Sequence, residues 1–317
     1  MNRKVRGWVA PAAALVFAAL LVLFRNELAA AWLSPGSVFF CALPSAESSV
    51  QEEPLLPEGE SLLPEADEGV DDGVLIELLN VEKEEGIALS SEAPTVLIYH
   101  THTTEAYLPT EDAPYEETTE WRTNDEQNNV VRVGEELARL LRERGINVIH
   151  DTTDHEPPKL GTAYERSLAT MERYQEEYPS LQLYIDLHRD AYILEGEPTL
   201  EDYAAIDDTA TINGKKCARL MFVVGTGEGK TGEGFSEKPD YAQNYALALV
   251  ITERLNALNP ALTRPIRVKT GRYNQHVGRC LLVEVGHNAN TLEEALNSMG
   301  FLADAIAQAS AAPADGN

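Results

Sequence analysis

The chain has 317 residues, 44% of them hydrophobic, enough apolar material for one large domain with appendages or for two smaller domains. Its 52 acidic residues against 25 basic ones leave a net charge of −27, which argues against a nucleic-acid partner because phosphate binding needs basic surface. Three widely spaced cysteines, Cys41, Cys217 and Cys280, exclude a disulfide framework and any CxxC metal or redox motif.

The first segment, 1–32, reads as a cytoplasmic tip and membrane anchor. Arg3, Lys4 and Arg6 precede a charge-free run over residues 7–24, at the length a helix needs to cross a bilayer. Cationic flanks stay in the cytoplasm, so the remainder is expected outside it. A cleaved signal peptide is the competing reading, but Arg25-Asn26-Glu27 follows the apolar run where small residues would favour cleavage. Residues 33–93 change character: Pro35, Pro44, Pro54, Pro57 and Pro64 alternate with acidic clusters such as Asp71-Asp72. Low hydrophobicity and like charges are the composition of an extended, disordered spacer.

Residues 94–317 read as one α/β domain. Residues 95–100 form an uncharged β-rich run, as a buried strand requires. Over residues 129–144, Val130, Val133, Leu137 and Leu141 recur at helical spacing, and Gly145 ends the helix. A strand at 146–149 follows, then a helix at 164–178 stopped by Pro179, and a strand at 181–187. Asn213-Gly214 between two β-rich runs, 206–212 and 217–224, predicts a hairpin. A helix at 241–258, a strand at 280–285 and a helix at 292–309 close the chain. Alternation of this kind predicts a mostly parallel or mixed central sheet with helices on both faces.

In such sheets, reactive groups gather where strands end. Three strand ends carry ligand-type residues. Tyr99 is followed by His100, His102 and Glu105; the next run ends in Asp186, His188 and Asp190; Glu284 lies inside an otherwise apolar strand. Neutral imidazoles at strand ends suit zinc. Asp186 or Asp190 is placed to accept a bond from the ring nitrogen of His188 facing away from a metal. A buried carboxylate such as Glu284 is costly unless a cation or donor meets it, and it suits a general base. Together the three ends point to metal-assisted hydrolysis of an amide. His150, His155, His276 and His287 are reserve ligands, with Asp154-His155-Glu156-Pro157 reading as a solvated turn. Gly225–Thr231 resembles a phosphate-binding loop with the wrong spacing and reads better as a loop over the site.

The residues Ile98–Tyr107, Asn129–Gly134, Asp186–Asp190, Arg272–Gln275 and Glu284–Gly286 with Asn290–Glu294 together resemble the stage II sporulation protein P family, over roughly residues 94–309. The resemblance implies a zinc-dependent N-acetylmuramoyl-L-alanine amidase that also acts as an endopeptidase on peptidoglycan, working with the stage II proteins D and M during engulfment. It also implies a zinc amidase-like domain, with His102, Glu126 and His188 as Zn2+ ligands and Glu284 as the catalytic carboxylate. His100 is close enough to exchange with His102, and Asp125 and Glu105 compete with Glu126 for the middle position. A catalytically inactive wall-binding or scaffold module is the alternative, distinguished by binding without turnover.

Overall fold

The computed structural model describes residues 87–227 and 239–310. The expected anchor, nearly all of the spacer and most of the glycine-rich loop lie outside them. Eight strands are seen: β1 (Val96–Tyr99), β2 (Val148–His150), β3 (Leu183–Asp190), β4 (Thr209–Ile212), β5 (Lys215–Ala218), β6 (Leu220–Gly225), β7 (Arg267–Lys269) and β8 (Cys280–His287). The helices are α1 (Val130–Glu143), α2 (Ala163–Glu177), α3 (Leu200–Ala204), α4 (Tyr241–Leu258) and α5 (Leu292–Ser310). Among the described residues, no helix is long and apolar enough to cross a membrane.

Local chemistry sets several of these boundaries. The Asn129 side chain accepts from the Val131 amide and starts α1, a cap worth about 1 kcal/mol. At the other end Gly145 takes φ +76°; its amide bonds Arg142 and that of Ile146 bonds Leu141, a paired closure that turns the chain into β2. Asn213 and Gly214 both take positive φ, the turn that joins β4 to β5. The 217–224 run, expected to be continuous, is two strands. It breaks at Arg219, whose guanidinium bonds Asp208 and the Thr263 carbonyl.

Six strands form one sheet in the order β2-β1-β3-β8-β6-β7. β2, β1, β3 and β8 run parallel, while β6 is antiparallel to β8 and parallel to β7. The sheet is therefore mixed, and its two faces are unequally covered. Ile98, Ile185, Leu187, Val283 and Val285 share one face with the buried sides of α1, α4 and α5, forming the main core. Ile87 joins that core, so the folded unit begins ahead of Pro94. Leu97, Tyr99, Tyr184 and Cys280 point the other way, where α2 covers them through Met171 and Leu168. The period of two along each strand carries this second face onward to Asp186 and His188 on β3, and to Leu282 and Glu284 on β8. The C-terminal half of the face that α2 covers is thus polar.

Candidate active site

His188 and Glu284 are register partners on adjacent parallel strands, so both project from the same face of the sheet. His188 is buried and stands between two carboxylates, with Nε2 2.9 Å from Asp186 and Nδ1 3.4 Å from Glu105. Asp186, 1% exposed, also accepts from the amide and hydroxyl of Thr101 at 2.8 and 2.6 Å. It is therefore fixed before it meets the imidazole. Asp190, the other candidate orienting group, turns away and pairs with Arg264 and Arg267.

The segment after β1 brings the remaining groups. The Glu105 carboxylate accepts from the Arg189 amide at 3.1 Å, while the Arg189 guanidinium holds the Ala106 and Trp121 carbonyls at 2.9 and 2.8 Å. Arg189 thereby ties two loop segments to the end of β3. The ring of His102 stands edge-on to that of His188, with centroids 5.5 Å apart, and its Nδ1 lies 3.6 Å from Glu156. Arg122 spans the two glutamates, 2.6 Å from Glu156 and 3.6 Å from Glu105. Tyr164, at the start of α2, stacks on His188 and meets His102 edge-on.

Electrostatics separates the carboxylates. Burial opposes charge on Glu105, but His188, Arg189 and Arg122 overcome it and hold this acid far below its ordinary range. Burial likewise opposes charge on His188, yet Asp186 and Glu105 raise it well above an ordinary histidine. Glu284 goes the other way: burial, then repulsion by Asp190 and Glu105, push it up to about 8, against the partial relief of His188 and Arg189. Its Oε2 is buried without a hydrogen-bond partner. Burial also pushes the Tyr164 phenol well above its ordinary value, so it stays protonated and able to donate.

His102, Glu105, His188 and Glu284 thus lie at one end of the sheet around His188. Glu126 is not among them: it is exposed on the turn before α1, and its neighbour Asp125 is spent on the Gln127 amide and the Asn128 side chain. His100 shares the face of Ile98 and is buried beneath α1, bonded to the Leu187 carbonyl and to His150 at 2.9 Å. Burial and the His150 ring hold it down to about 3. Gly134 makes room for it, since a Cβ there would lie 2.6 Å from His100 Nε2.

The 154–157 turn is solvated only in part: Asp154 and Pro157 are exposed, but the two residues between them are not. His155 is 2% exposed, bonded to the His100 carbonyl and to Thr170, and Glu156 accepts from Thr104 and Arg122 beside His102. The cue was available, because these residues follow β2, a fourth strand end of the same kind. Tyr164 gave no such cue, since its spacing is that of a helix's inner face.

A divalent cation fits the donor chemistry of this site. His102 Nδ1 and Glu284 Oε2 are buried polar atoms without aligned hydrogen-bond partners, and His188, with Nε2 turned to Asp186, presents Nδ1 on the side of Glu105. Among the described residues, no group of three His, Cys, Asp or Glu side chains is already drawn together closely enough to hold a metal ion.

A family model described as Stage II sporulation protein P matches residues 45–307. Stage II sporulation protein P of Bacillus subtilis (strain 168) is 31% identical over 247 residues, covering 72% of this chain and 54% of that protein. The chain therefore spans about half the length of the curated relative it matches. Among solved structures, the catalytic domain of the N-acetylmuramoyl-L-alanine amidase CwlV from Bacillus (Paenibacillus) polymyxa var. colistinus is 14% identical with a TM-score of 0.38, covering 68% of this chain and 95% of that one. An N-acetylmuramoyl-L-alanine amidase from Clostridium difficile 630 is 17% identical with a TM-score of 0.39, covering 68% and 94%.

Proposed function

The chain belongs to the stage II sporulation protein P family, and from that premise we propose that it is a peptidoglycan hydrolase that cleaves the amide between the muramyl lactyl group and L-alanine. The observation that carries this reading is the pairing of His188 and Glu284 across β3 and β8, with His102 and Glu105 brought against them from the end of β1. In this reading His102, His188 and a carboxylate hold a zinc ion. Glu105 is favoured over Glu126 for the carboxylate because it already faces His188. When bound, the ion supplies Lewis acidity toward the amide carbonyl.

The chain's own residues do the rest. Glu284, whose Oε2 is buried without a hydrogen-bond partner, takes a proton from the attacking water and returns it to the leaving amine. Asp186 fixes the His188 ring, and Arg189 fixes Glu105. Tyr164, kept protonated, donates to the developing oxyanion. Cleavage of stem-peptide cross-links by the same site, an N-terminal anchor with this domain outside the cytoplasm, and recruitment by the stage II proteins D and M belong to the same reading. Recruitment would answer the question of how a chain of charge −27 approaches an anionic wall.

The test is digestion of purified sacculi by the full chain recovered from the membrane fraction, read by mass spectrometry. Free stem peptides and intact glycan are expected, with loss of release in chelator and in Glu284→Gln. Undiminished release by Glu284→Gln would refute its role, and glycan binding without turnover would leave the scaffold reading standing.

A further inference from the structure

The site around His188 has two unlike flanks. On the β1 side of His188 it is charged, with Glu105, Arg122 and Glu156. On the β6 side it is apolar: Met221 is the register partner of Glu284, and Val223 is that of Leu282. Met221, Val223 and Leu282 form a small buried cluster on this face, and the partly buried ring of Tyr273 packs on it.

Tyr273 is held there against its own backbone preference. Tyr273 and Asn274 take φ of +50° and +53°, a conformation that side-chain-bearing residues seldom adopt and that is kept only where surroundings enforce it. The enforcing contacts lie on both sides. Asn274 donates to Ser167 at 2.8 Å and to the Tyr164 carbonyl at 3.2 Å, tying the segment to α2. Gln275, fully buried, accepts from the Gly225 amide and donates to the Val223 carbonyl, both at 2.8 Å, tying it to β6. The ring also needs two bare positions, since a Cβ on Gly225 or Gly271 would meet it at 2.9 or 2.4 Å. Clamped in this way, Tyr273 stands edge-on to Tyr164 with centroids 5.8 Å apart, and Tyr164 stacks on His188. A continuous aromatic wall therefore runs from the reacting pair toward β6.

We propose that Tyr273 is a specificity-determining residue whose ring receives the pyranose of the muramyl unit, so that the glycan lies over β6 and the stem peptide leaves toward Arg122. A pyranose offers axial C–H groups to the electron-rich face of an aromatic ring, whereas a stem peptide carries carboxylates and amides better matched to the charged end. The inference rests on the amidase reading and assigns the direction in which the substrate lies.

Two substrates sharing the lactyl–alanine amide separate sugar from peptide: N-acetylmuramyl-L-alanyl-D-isoglutamine and the lactoyl-L-alanyl-D-isoglutamine that lacks the ring. In the full chain, Tyr273→Leu keeps an apolar cover over Met221 and Val223 but removes the aromatic face. It should raise KM for the sugar-bearing substrate about tenfold with kcat little changed, leave the lactoyl substrate unaffected, and be rescued in Tyr273→Phe. Equal losses on both substrates, or no loss on either, would overturn the assignment. Calorimetric binding of the N-acetylglucosaminyl-N-acetylmuramic acid disaccharide to Glu284→Gln gives a second readout. Binding that is weakened by Tyr273→Leu while no amide is cleaved by the parent chain would sink the hydrolase reading and keep the sugar platform. Binding indifferent to Tyr273 would sink the platform alone.

Discussion

Glu284 should destabilise the metal-free fold at alkaline pH, and Glu284→Gln should remove that effect. Its carboxyl is pushed from an ordinary 4.5 up to about 8, first by burial and then by Asp190 and Glu105. Below about pH 4.5 the group is protonated in both folded and unfolded chains and costs nothing. Between 4.5 and 8 the unfolded chain gives up the proton while the folded chain keeps it, so stability falls as pH rises; above 8 the full penalty stands. Each tenfold gain in proton affinity corresponds to about 1.4 kcal/mol, so the ceiling is about 5 kcal/mol, and water reaching this partly buried group reduces it to about 2–3 kcal/mol. For a domain of this size that corresponds to about 5–10 °C in Tm. The assay is thermal unfolding of the parent and Glu284→Gln in chelator at pH 4.5 and pH 9.5. The difference between the two proteins cancels the slope from the many other acids, and the variant should gain only at the higher pH. An equal gap at both values, or a larger one at pH 4.5, would show that Glu284 is not held protonated by its surroundings.

Asp186→Asn should leave the strand intact but release the orientation of His188 and weaken its hold on Thr101, lowering kcat about 10–100-fold in a muropeptide release assay with a smaller change in KM. Two glycines with positive φ should respond differently to alanine. At Gly145 nothing lies within 4 Å of the added Cβ, so the cost is the left-handed backbone alone, about 1 kcal/mol. At Gly286 the Cβ would meet Asn290 Oδ1 at 2.5 Å and Ala218 Cβ at 2.8 Å, so denaturant midpoints should show a loss of about 2–4 kcal/mol.

Much of this molecule is decided by local pattern. The apolar period over Val130, Val133, Leu137 and Leu141 with Asn129 and Gly145 at its ends makes α1, and Asn213-Gly214 makes the β4–β5 turn, because each rests on neighbours in the chain. The same local reading marks His102, His188 and Glu284, since polar groups at the ends of apolar strands are conspicuous in any sheet protein. The short edge strand β7 and the break at Arg219 were not legible. Three residues carry too little period to be read, and the break depends on Asp208 across the hairpin and on Thr263, 44 residues further along.

What the tertiary structure alone decided is which of those groups meet. Alternation tells that Tyr99 and Thr101 share a face and that His100 shares the other, but not that α1 would cover the second face and leave Gly134 open for the imidazole. Nor does it tell that β8 would lie beside β3, nearly a hundred residues earlier, and in the register that sets Glu284 against His188. The family resemblance favoured Glu126. In the fold it is Glu105 that meets His188, because the buried Arg189 pins it at the end of β3, and Glu156 that stands beside His102, because Arg122 and Thr104 hold it there. Such choices depend on strand order and on charges that find each other only in the compact state, where burial makes an unpaired partner expensive.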